Sequence, residues 1–345
     1  RSYLWASGKR QNLDIQKKAQ AIRVIFEGKR AIGVKYIQKG QIKTVHARAE
    51  VILSGGAINS PQLLQLSGIG PGKLLQSHNI NIVHVSHHVG KNLQDHLGSD
   101  IYYRANVPTL NQELNPMFGK LRAGLKYIFT RKGPLSLSLN QGGGFIQIDP
   151  NASGPDLQLY FSPVSYTRAP AGVRPLMNPD PFPGFLMGFN PCKPTSVGNI
   201  QISSTDPMLP PKIYSNYLDT DYDKKMMIEG IRLIRRIANA PALNSIIKDE
   251  LAPGVGIKSE TDIAKYIRQK AWSVFHPCST CRMGSNPNVS VVDPKLRVHG
   301  VDNLRVVDAS IFPTIPTGNI NAPSIMVGEY ASDIILKDAR NQKGL

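Results

Sequence analysis

The sequence predicts a mixed α/β fold with two structural regions, one of them discontinuous along the chain. The chain has 345 residues, more than the roughly 250–300 at which one hydrophobic core stops growing. A buried strand near residue 50 leads through glycines into a helix, whereas residues 101–220 alternate strand patterns with long loops. The final residues return to the first pattern. We therefore predict one domain from residues 1–100 and 271–345, and a second from residues 101–270.

The first region is predicted to begin with β structure and to continue into a strand, turn and helix. Apolar residues alternate over residues 22–26, and residues 27–30 form a turn signal before a second strand. The strand at residues 50–53 is followed by the run Ser-Gly-Gly and an apolar helix, for which we expect Ser60 as N-cap and Pro61 as first residue. A buried strand that enters a helix through glycines is typical of a nucleotide-binding α/β domain.

The second region is predicted to be an antiparallel sheet with long loops, covered by a helix. Residues 157–161 and 198–202 alternate in polarity, as half-buried strands do. A helix after residue 220 carries one apolar face, formed by Met227, Gly230, Ile231, Ile234 and Ala238. Beyond it, residues 304–308 indicate a strand, and residues 323–336 are apolar all round, which predicts a buried helix.

Charge and cysteine usage limit the function classes. The 41 basic and 24 acidic side chains give a net charge of +17, but basic residues occur only in short clusters spread over the chain, which favours a basic surface over a nucleic-acid groove. No run reaches the ~18–20 apolar residues of a membrane span. Three cysteines cannot form a disulfide framework. Cys278 and Cys281 form a C-x-x-C without a second ligand pair, which favours packed thiols over a zinc site or a redox dithiol.

Glycine-rich segments do not complete a phosphate-binding motif. Residues 68–74 fail as a phosphate loop because Ser67 and Leu74 occupy required glycine and hydroxyl positions. No G-x-G-x-x-G fingerprint is complete elsewhere in the sequence. Because the sequence starts at Arg1 without methionine or a signal segment, we interpret it as a C-terminal fragment whose N-terminal Rossmann fingerprint is absent.

Four segments in order resemble the glucose–methanol–choline (GMC) family of flavin oxidoreductases, and most closely its insect glucose dehydrogenase-like and ecdysone oxidase-like members. They lie at residues 55–71, 89–96, 276–284 and 304–323. The resemblance implies a discontinuous FAD-binding α/β domain and a substrate-binding domain with an antiparallel sheet. It also implies oxidation of an alcohol (CH-OH donor) by hydride transfer to the flavin N5, for which a histidine base is suited.

The resemblance also implies the site residues. His276 matches the family's first active-site histidine, and Asn319 falls where the family has histidine or asparagine. Asn321 and Ala322 begin a helix whose N-terminus favours negative charge on a reduced flavin. Further cofactor contacts are implied for Ala21, at the adenine, and for Asp308 and Ala309, at the ribityl and diphosphate part. Ser279 replaces the usual glycine after His276, which puts the local turn in doubt. Asn92, Asp95 and His96 are expected to fix a loop.

The expected partners are a small-molecule alcohol and an electron acceptor, either oxygen or a quinone. Sugars, steroids and small aromatic alcohols all remain open as substrates, and a catalytically inactive relative with a binding or structural role is the alternative. Secretion is expected from the resemblance and from two glycosylation acceptor tripeptides, which start at Asn151 and Asn288.

Overall fold

A computed structural model describes residues 2–8, 10–167 and 178–342. Its α-helices are Ser2–Ser7 (α1), Gly56–Leu66 (α2), Gly72–Ser77 (α3), Leu110–Leu114 (α4), Met117–Thr130 (α5), Asp221–Ala238 (α6), Pro241–Asn244 (α7), Glu260–Lys270 (α8) and Asn321–Gln342 (α9). Short 3-10 turns cover Pro134–Ser136 and Ala309–Ile311. Within the described ranges, no helix has the length and apolar character needed to cross a bilayer.

The strands of the described residues form one large sheet and several small ones. They are Ala19–Glu27 (β1), Arg30–Gln38 (β2), Gln41–His46 (β3), Val51–Leu53 (β4), Ile69–Gly70 (β5), His84–Val85 (β6), Leu97–Ala105 (β7), Gly142–Ile146 (β8), Leu157–Ser162 (β9), Tyr166–Thr167 (β10), Asn178–Pro179 (β11), Gly184–Pro191 (β12), Asn199–Gln201 (β13), Lys212–Tyr214 (β14), Ile247–Ala252 (β15), Trp272–Ser273 (β16) and Leu304–Val306 (β17). The mixed α/β class is as predicted.

The first region combines an antiparallel sheet with a parallel strand pair. Strands β1, β2 and β3 pair in sequence order, and Gly28, at φ +58°, makes the turn between the first two. Strand β4 pairs in parallel with β17, more than two hundred residues later, with Leu53 opposite Val306. The C-terminal strand therefore completes a sheet that the N-terminal part of the chain begins.

Helix α2 begins earlier than the sequence predicted. The expectation of Ser60 as N-cap and Pro61 as first residue is wrong, because the helix starts at Gly56 and places both residues in its interior. Gly56 adopts φ +78°, a conformation that glycine allows at little cost, so the chain turns into the helix directly after β4. The hydroxyl of Ser60 contacts Asp308 instead of capping the helix.

The second region is built on an antiparallel sheet with the strand order β15, β7, β12, β9, β8, and β16 also pairs with β7. One face of this sheet is apolar and is covered by α6, as the sequence predicted. Gly230 of α6 lies against the Phe189 ring, and a Cβ at this position would come within 2.1 Å of it. The opposite face carries polar residues, among them Gln158.

Besides a small cluster around Leu75 and Ile80, the described residues form two large hydrophobic cores. One contains buried residues between Val24 and Val89 together with residues between Cys278 and Ala331, and the other lies between Leu97 and Ile267. Helix α9 joins the first core on one side only, through Val327 and Ala331. The expectation that this helix is buried all round is therefore wrong for the described chain, where four of its large apolar side chains are exposed: Ile325, Met326, Tyr330 and Leu336.

Candidate active site

The loop that carries His276, residues 274–283, is held between two other chain segments by backbone hydrogen bonds. On one side, Val274 N–H donates to His96 O at 2.9 Å, and Gln94 and Cys278 exchange N–H···O bonds of 3.0 and 3.2 Å. On the other side, Cys281 N–H donates to Ser310 O at 2.8 Å. The Thr280 hydroxyl of the same loop also donates to Ala57 O at 2.6 Å, so all four segments on which the family resemblance rests meet around this loop.

His276 and Asn319 lie in direct contact. The Nδ2 atom of Asn319 is 3.2 Å from Nε2 of His276, and its Oδ1 accepts a hydrogen bond from Gln158 Nε2 at 3.1 Å. His276 is 8% exposed, whereas Asn319 is exposed to solvent. The structure thus brings the two predicted catalytic residues together, with their polar atoms at an accessible edge of the polar face of the large sheet.

Asp95 fixes the backbone of His276. Its Oδ1 accepts the His276 N–H at 2.8 Å, and its Oδ2 accepts hydrogen bonds from Tyr217 and Ser273, both of 2.5 Å. Burial lowers the pKa of the His276 imidazole, and the negative charge of Asp95 opposes that shift. His276 is therefore held in place and favoured in its neutral form.

His96 packs against His276, which the sequence analysis missed. Its Nδ1 lies 2.9 Å from Nδ1 of His276, and its Nε2 lies 2.9 Å from the carbonyl oxygen of Cys192. The side chain is 0% exposed. The expectation that His96 fixes a loop does not account for this contact. The signal in the sequence is the aspartate–histidine pair at 95–96, but its partner lies 180 residues away, so no local spacing reveals it.

A cleft opens at the carboxyl end of β4, the edge at which parallel sheets bind nucleotides. It has a volume of about 280 Å³. Its apolar wall includes Val34 and Leu63, and its polar rim includes Ser54 and Asn59. Ala21 lies in the wall of this cleft, at a point where the pairing of β1 with β2 is interrupted by a bulge.

Asp308 uses its carboxylate within the protein. The Oδ2 atom accepts hydrogen bonds from Gly56 N–H at 2.9 Å and from the Ser60 hydroxyl at 2.6 Å, while Oδ1 accepts from Ser310 N–H at 2.8 Å. Asp308 therefore ties the turn after β4 to the turn after β17. Ala309 follows it, is buried, and accepts the Ser279 N–H at 3.2 Å, so this segment lies between the cleft and the His276 loop.

Helix α9 begins two residues after Asn319, with Asn321 and Ala322 as its first residues. Both are exposed. The free N–H groups and the positive end of the helix dipole therefore lie beside the pair of His276 and Asn319. This geometry favours negative charge next to the contact between the two side chains.

Ser279, which replaces the family's usual glycine after His276, adopts the backbone conformation that a glycine would allow at this turn. Ser279 adopts φ +70°, in the left-handed region that the family's glycine would enter freely, and Phe275 on the other side of His276 adopts φ +62°.

Cys278 and Cys281 are buried free thiols, and burial raises the pKa of Cys278 to about 12. Among the described residues, no group of three or more His, Cys, Asp or Glu side chains could hold a metal ion.

Two GMC oxidoreductase family models match this chain. The N-terminal model covers residues 1–98, and the C-terminal model covers residues 194–328. The chain belongs to the GMC oxidoreductase family. The interpretation as a C-terminal fragment without the family's N-terminal Rossmann part is corrected by the first match, which places N-terminal family sequence in residues 1–98.

Two bacterial proteins are among the relatives of this GMC chain. It is 42% identical over 339 residues to an alcohol dehydrogenase [acceptor] of Pseudomonas putida, covering 95% of this chain and 59% of the relative. It is 40% identical to an oxygen-dependent choline dehydrogenase of Pseudomonas fluorescens, covering 97% and 58%. The expected likeness to insect glucose dehydrogenase and ecdysone oxidase is therefore wrong. The chain spans slightly under three fifths of the length of these curated relatives.

Solved structures show the same fold. A formate oxidase of Aspergillus oryzae, solved to follow the effect of a mutation on FAD modification, superposes with a TM-score of 0.89 at 27% identity, covering 97% of this chain and 63% of that one. A pyridoxine 4-oxidase superposes with a TM-score of 0.79 at 27% identity, covering 95% of this chain and 59% of that one. The residues around His276 therefore lie in a fold that this chain shares with these solved structures.

Proposed function

We propose that the protein oxidises a small-molecule alcohol with FAD as its bound electron acceptor, and that His276 takes the alcohol proton. The observation that carries this proposal is the contact between Asn319 Nδ2 and His276 Nε2 at 3.2 Å. It places a neutral imidazole and an amide side by side at an accessible edge. The two groups suit a substrate that presents one hydroxyl group.

The described residues fit FAD. The cleft at the carboxyl end of β4 offers apolar walls for a planar ring and a polar rim for a ribose, with Ala21 in its wall. Asp308 and Ala309 connect this cleft to the His276 loop, where the start of α9 favours negative charge. We infer that Ala21 contacts the adenine, that the main chain at 308–309 approaches the ribityl and diphosphate part, and that Asn321 and Ala322 face the flavin ring.

The chemistry that FAD supplies when bound is a two-electron acceptor for the hydride that leaves the substrate carbon. The alcohol proton must leave the same molecule. His276 Nε2 accepts a hydrogen bond from the Asn319 amide, so this nitrogen carries the lone pair that can receive the proton. Loss of the proton to His276 and of the hydride from carbon turns the alcohol into the carbonyl product.

Asn319 orients the substrate and does not itself take a proton, because an amide is not a base at neutral pH. Gln158 holds the amide by donating to its Oδ1, which directs Nδ2 toward His276. A substrate oxygen that enters between the two side chains can accept from Nδ2 while its own proton points at Nε2. The amide therefore lowers the entropic cost of reaching the reactive arrangement.

The names of the relatives support the reaction class. The Pseudomonas putida relative is an alcohol dehydrogenase that uses an acceptor, and the Pseudomonas fluorescens relative is an oxygen-dependent choline dehydrogenase. Both act on a hydroxyl group, and their names leave oxygen and another acceptor, such as a quinone, as alternatives for this protein.

The test is to purify the complete protein gently, record its visible spectrum, and assay a panel of alcohols. The panel holds short and long aliphatic alcohols, aromatic alcohols, sugars, steroids and choline, each with oxygen, a quinone and a dye as acceptor. We expect a yellow protein and turnover of at least one alcohol, at a rate that His276→Ala lowers by ~10²–10⁴. A yellow protein that turns over none of them would favour the alternative, an inactive relative, and a colourless protein would contradict the proposal.

A further inference from the structure

We propose that His96 is a positioning residue that sets the tautomer of His276, and so keeps Nε2 of His276 unprotonated and ready to accept a proton. This inference deepens the proposed function and rests on it. It is carried by a continuous row of hydrogen-bonded groups that runs from a backbone carbonyl oxygen, through both imidazoles, to the amide of Asn319.

The row starts at the carbonyl oxygen of Cys192, whose position is fixed. Cys192 directly follows β12, is 0% exposed, and donates its own N–H to Asp156 O at 2.8 Å. A carbonyl oxygen can only accept a hydrogen bond. The nitrogen that faces it at 2.9 Å, Nε2 of His96, must therefore carry a hydrogen.

The second step is the neutrality of His96. The side chain is completely buried, which disfavours the charged form and lowers the pKa of the imidazole, and the neighbouring His276 acts in the same direction. The carbonyl groups of Cys192 and Pro316 and the charge of Asp95 oppose the shift. A neutral imidazole has a single N–H. With that hydrogen on Nε2, the Nδ1 atom of His96 is an acceptor.

The position of the ring hydrogen of His276, and the donor in each remaining contact, follow from this assignment. Because Nδ1 of His96 accepts, Nδ1 of His276, 2.9 Å away, must donate. A neutral His276 then has no hydrogen on Nε2, which matches its position 3.2 Å from the donor Nδ2 of Asn319. The amide oxygen of Asn319 accepts in turn from Gln158. Every contact in the row has one donor and one acceptor, and the carbonyl of Cys192 sets the direction for all of them.

The alternative is a row that runs in the opposite direction. His276 would then carry its hydrogen on Nε2, and His96 would need hydrogens on both nitrogens to satisfy Cys192 and His276 together. That state places a positive charge on a side chain with no solvent access. The carboxylate whose charge acts on His96, Asp95, already accepts hydrogen bonds from His276 N–H, Ser273 and Tyr217.

The direct test locates the ring hydrogen of His276 by NMR and does not depend on enzyme activity. The complete protein is labelled with ¹⁵N-histidine, and long-range proton–nitrogen NMR at pH 7.5 identifies the protonated ring nitrogen. The His276 signals are assigned by their loss in His276→Gln. We expect the hydrogen on Nδ1 of His276 in the wild type and a mixture of tautomers in His96→Leu. A wild-type His276 with its hydrogen on Nε2, or a doubly protonated His96, would overturn the inference.

Kinetics provide the second readout. We expect His96→Leu to lower kcat by roughly 10- to 1,000-fold with a much smaller change in KM, because only the fraction with the correct tautomer reacts. His96→Asn keeps an acceptor oxygen near the place of Nδ1 and should recover part of the loss. The matched control is His299→Leu, a histidine that contacts Ser290 and Gly284 and should leave kcat unchanged.

The outcomes separate the two proposals. If His96→Leu and His96→Asn fold and both keep the wild-type kcat and the wild-type tautomer, the positioning role is wrong while alcohol oxidation stands. If no alcohol is oxidised but NMR finds the expected tautomer, the proposed function fails and the arrangement of hydrogens is still as inferred. If neither variant folds, the wild-type spectrum alone decides between the two directions of the row.

Discussion

The hydroxyl of Thr280 donates a 2.6 Å hydrogen bond to the carbonyl oxygen of Ala57 in helix α2. In a regular helix this oxygen would accept the N–H of the residue four positions later, which here is Pro61, and proline has no N–H. Both Ala57 and Thr280 are buried. The His276 loop therefore supplies the hydrogen bond that the helix lacks, which explains how Pro61 is tolerated inside α2.

This relationship predicts a stability effect for Thr280→Val. The substitution keeps the shape of the side chain but leaves the buried Ala57 oxygen without a partner, so we expect a loss of about 1–3 kcal/mol. Thr280→Ser is the matched control, because it keeps the hydroxyl and removes one methyl group, worth about 0.8 kcal/mol. Chemical denaturation of the three proteins measures the difference. A valine variant as stable as the wild type would show that the bond contributes nothing.

Ser279→Gly is expected to stabilise the protein. Ser279 holds φ +70°, a conformation that costs a residue with a Cβ roughly 1–2 kcal/mol, whereas the extra freedom of glycine in the unfolded chain costs about 0.5–1 kcal/mol. The net gain should lie between about 0 and 1.5 kcal/mol, seen as an equal or higher Tm. Ser99→Gly is the control, because Ser99 is buried in strand β7 at an ordinary φ and its replacement should lower Tm. A lower Tm for Ser279→Gly would contradict this reading.

Much of the fold could be predicted because its signals are local. The turn at Gly28, the strand at residues 51–53 and the apolar face of α6 all follow from short periodic patterns. The start of α2 could not be found in this way, because Ser60 and Pro61 form a convincing helix start. Their actual roles depend on Asp308 and Thr280, which lie more than two hundred residues away.

In the candidate site, too, local sequence signals could be recognised and contacts between distant residues could not. The sequence motifs select His276 and Asn319, which the structure places in contact. His96 and Gln158 were missed as members of the site, because their roles arise only where the end of the first region and the polar face of the large sheet approach the His276 loop. Residue type alone does not distinguish a histidine that fixes a loop from one that orients another histidine.

His276→Ala tests the proposed base. We expect the rate of cofactor reduction by alcohol to fall by ~10²–10⁴, the usual scale for removing a general base. Bound FAD should remain, because no cofactor contact is assigned to this side chain. Rapid mixing of the variant with alcohol measures the rate, and the visible spectrum of the purified variant confirms that cofactor is present. A variant that is reduced as fast as the wild type at pH 6–9 would exclude His276 as the base.

The pH dependence of the reaction should reflect a lowered histidine pKa. Burial lowers the pKa of His276, with Asp95 opposing the shift, and a base acts only in its neutral form. As pH rises, kcat/KM should therefore increase and reach its plateau at a lower pH than an exposed imidazole, with a pKa of about 6.5, would give. A profile of kcat/KM between pH 5 and 9 measures this. An increase centred above pH 7 would contradict the assignment of His276 as a buried, neutral base.

Asn319 is expected to contribute by orientation and by one hydrogen bond, so its loss should cost less than the loss of His276. For Asn319→Ala we expect a decrease in kcat of roughly 10- to 150-fold, equivalent to about 1.5–3 kcal/mol. Asn319→His should keep part of the activity, because an imidazole can also donate to the substrate oxygen. Asn319→Asp tests the donor itself, since an ionised carboxylate accepts hydrogen bonds and cannot donate to His276 Nε2.

The comparison of these Asn319 variants with His276→Ala decides between the roles. If Asn319 only orients the substrate, Asn319→Ala leaves the pH dependence of kcat/KM close to that of the wild type while the plateau falls. Asn319→Asp places a negative charge 3.2 Å from the imidazole, which raises the pKa of His276 and moves the increase in kcat/KM to higher pH. An Asn319→Ala variant that loses as much rate as His276→Ala would show that the amide is indispensable for proton transfer, and the division of roles proposed for the pair would be wrong.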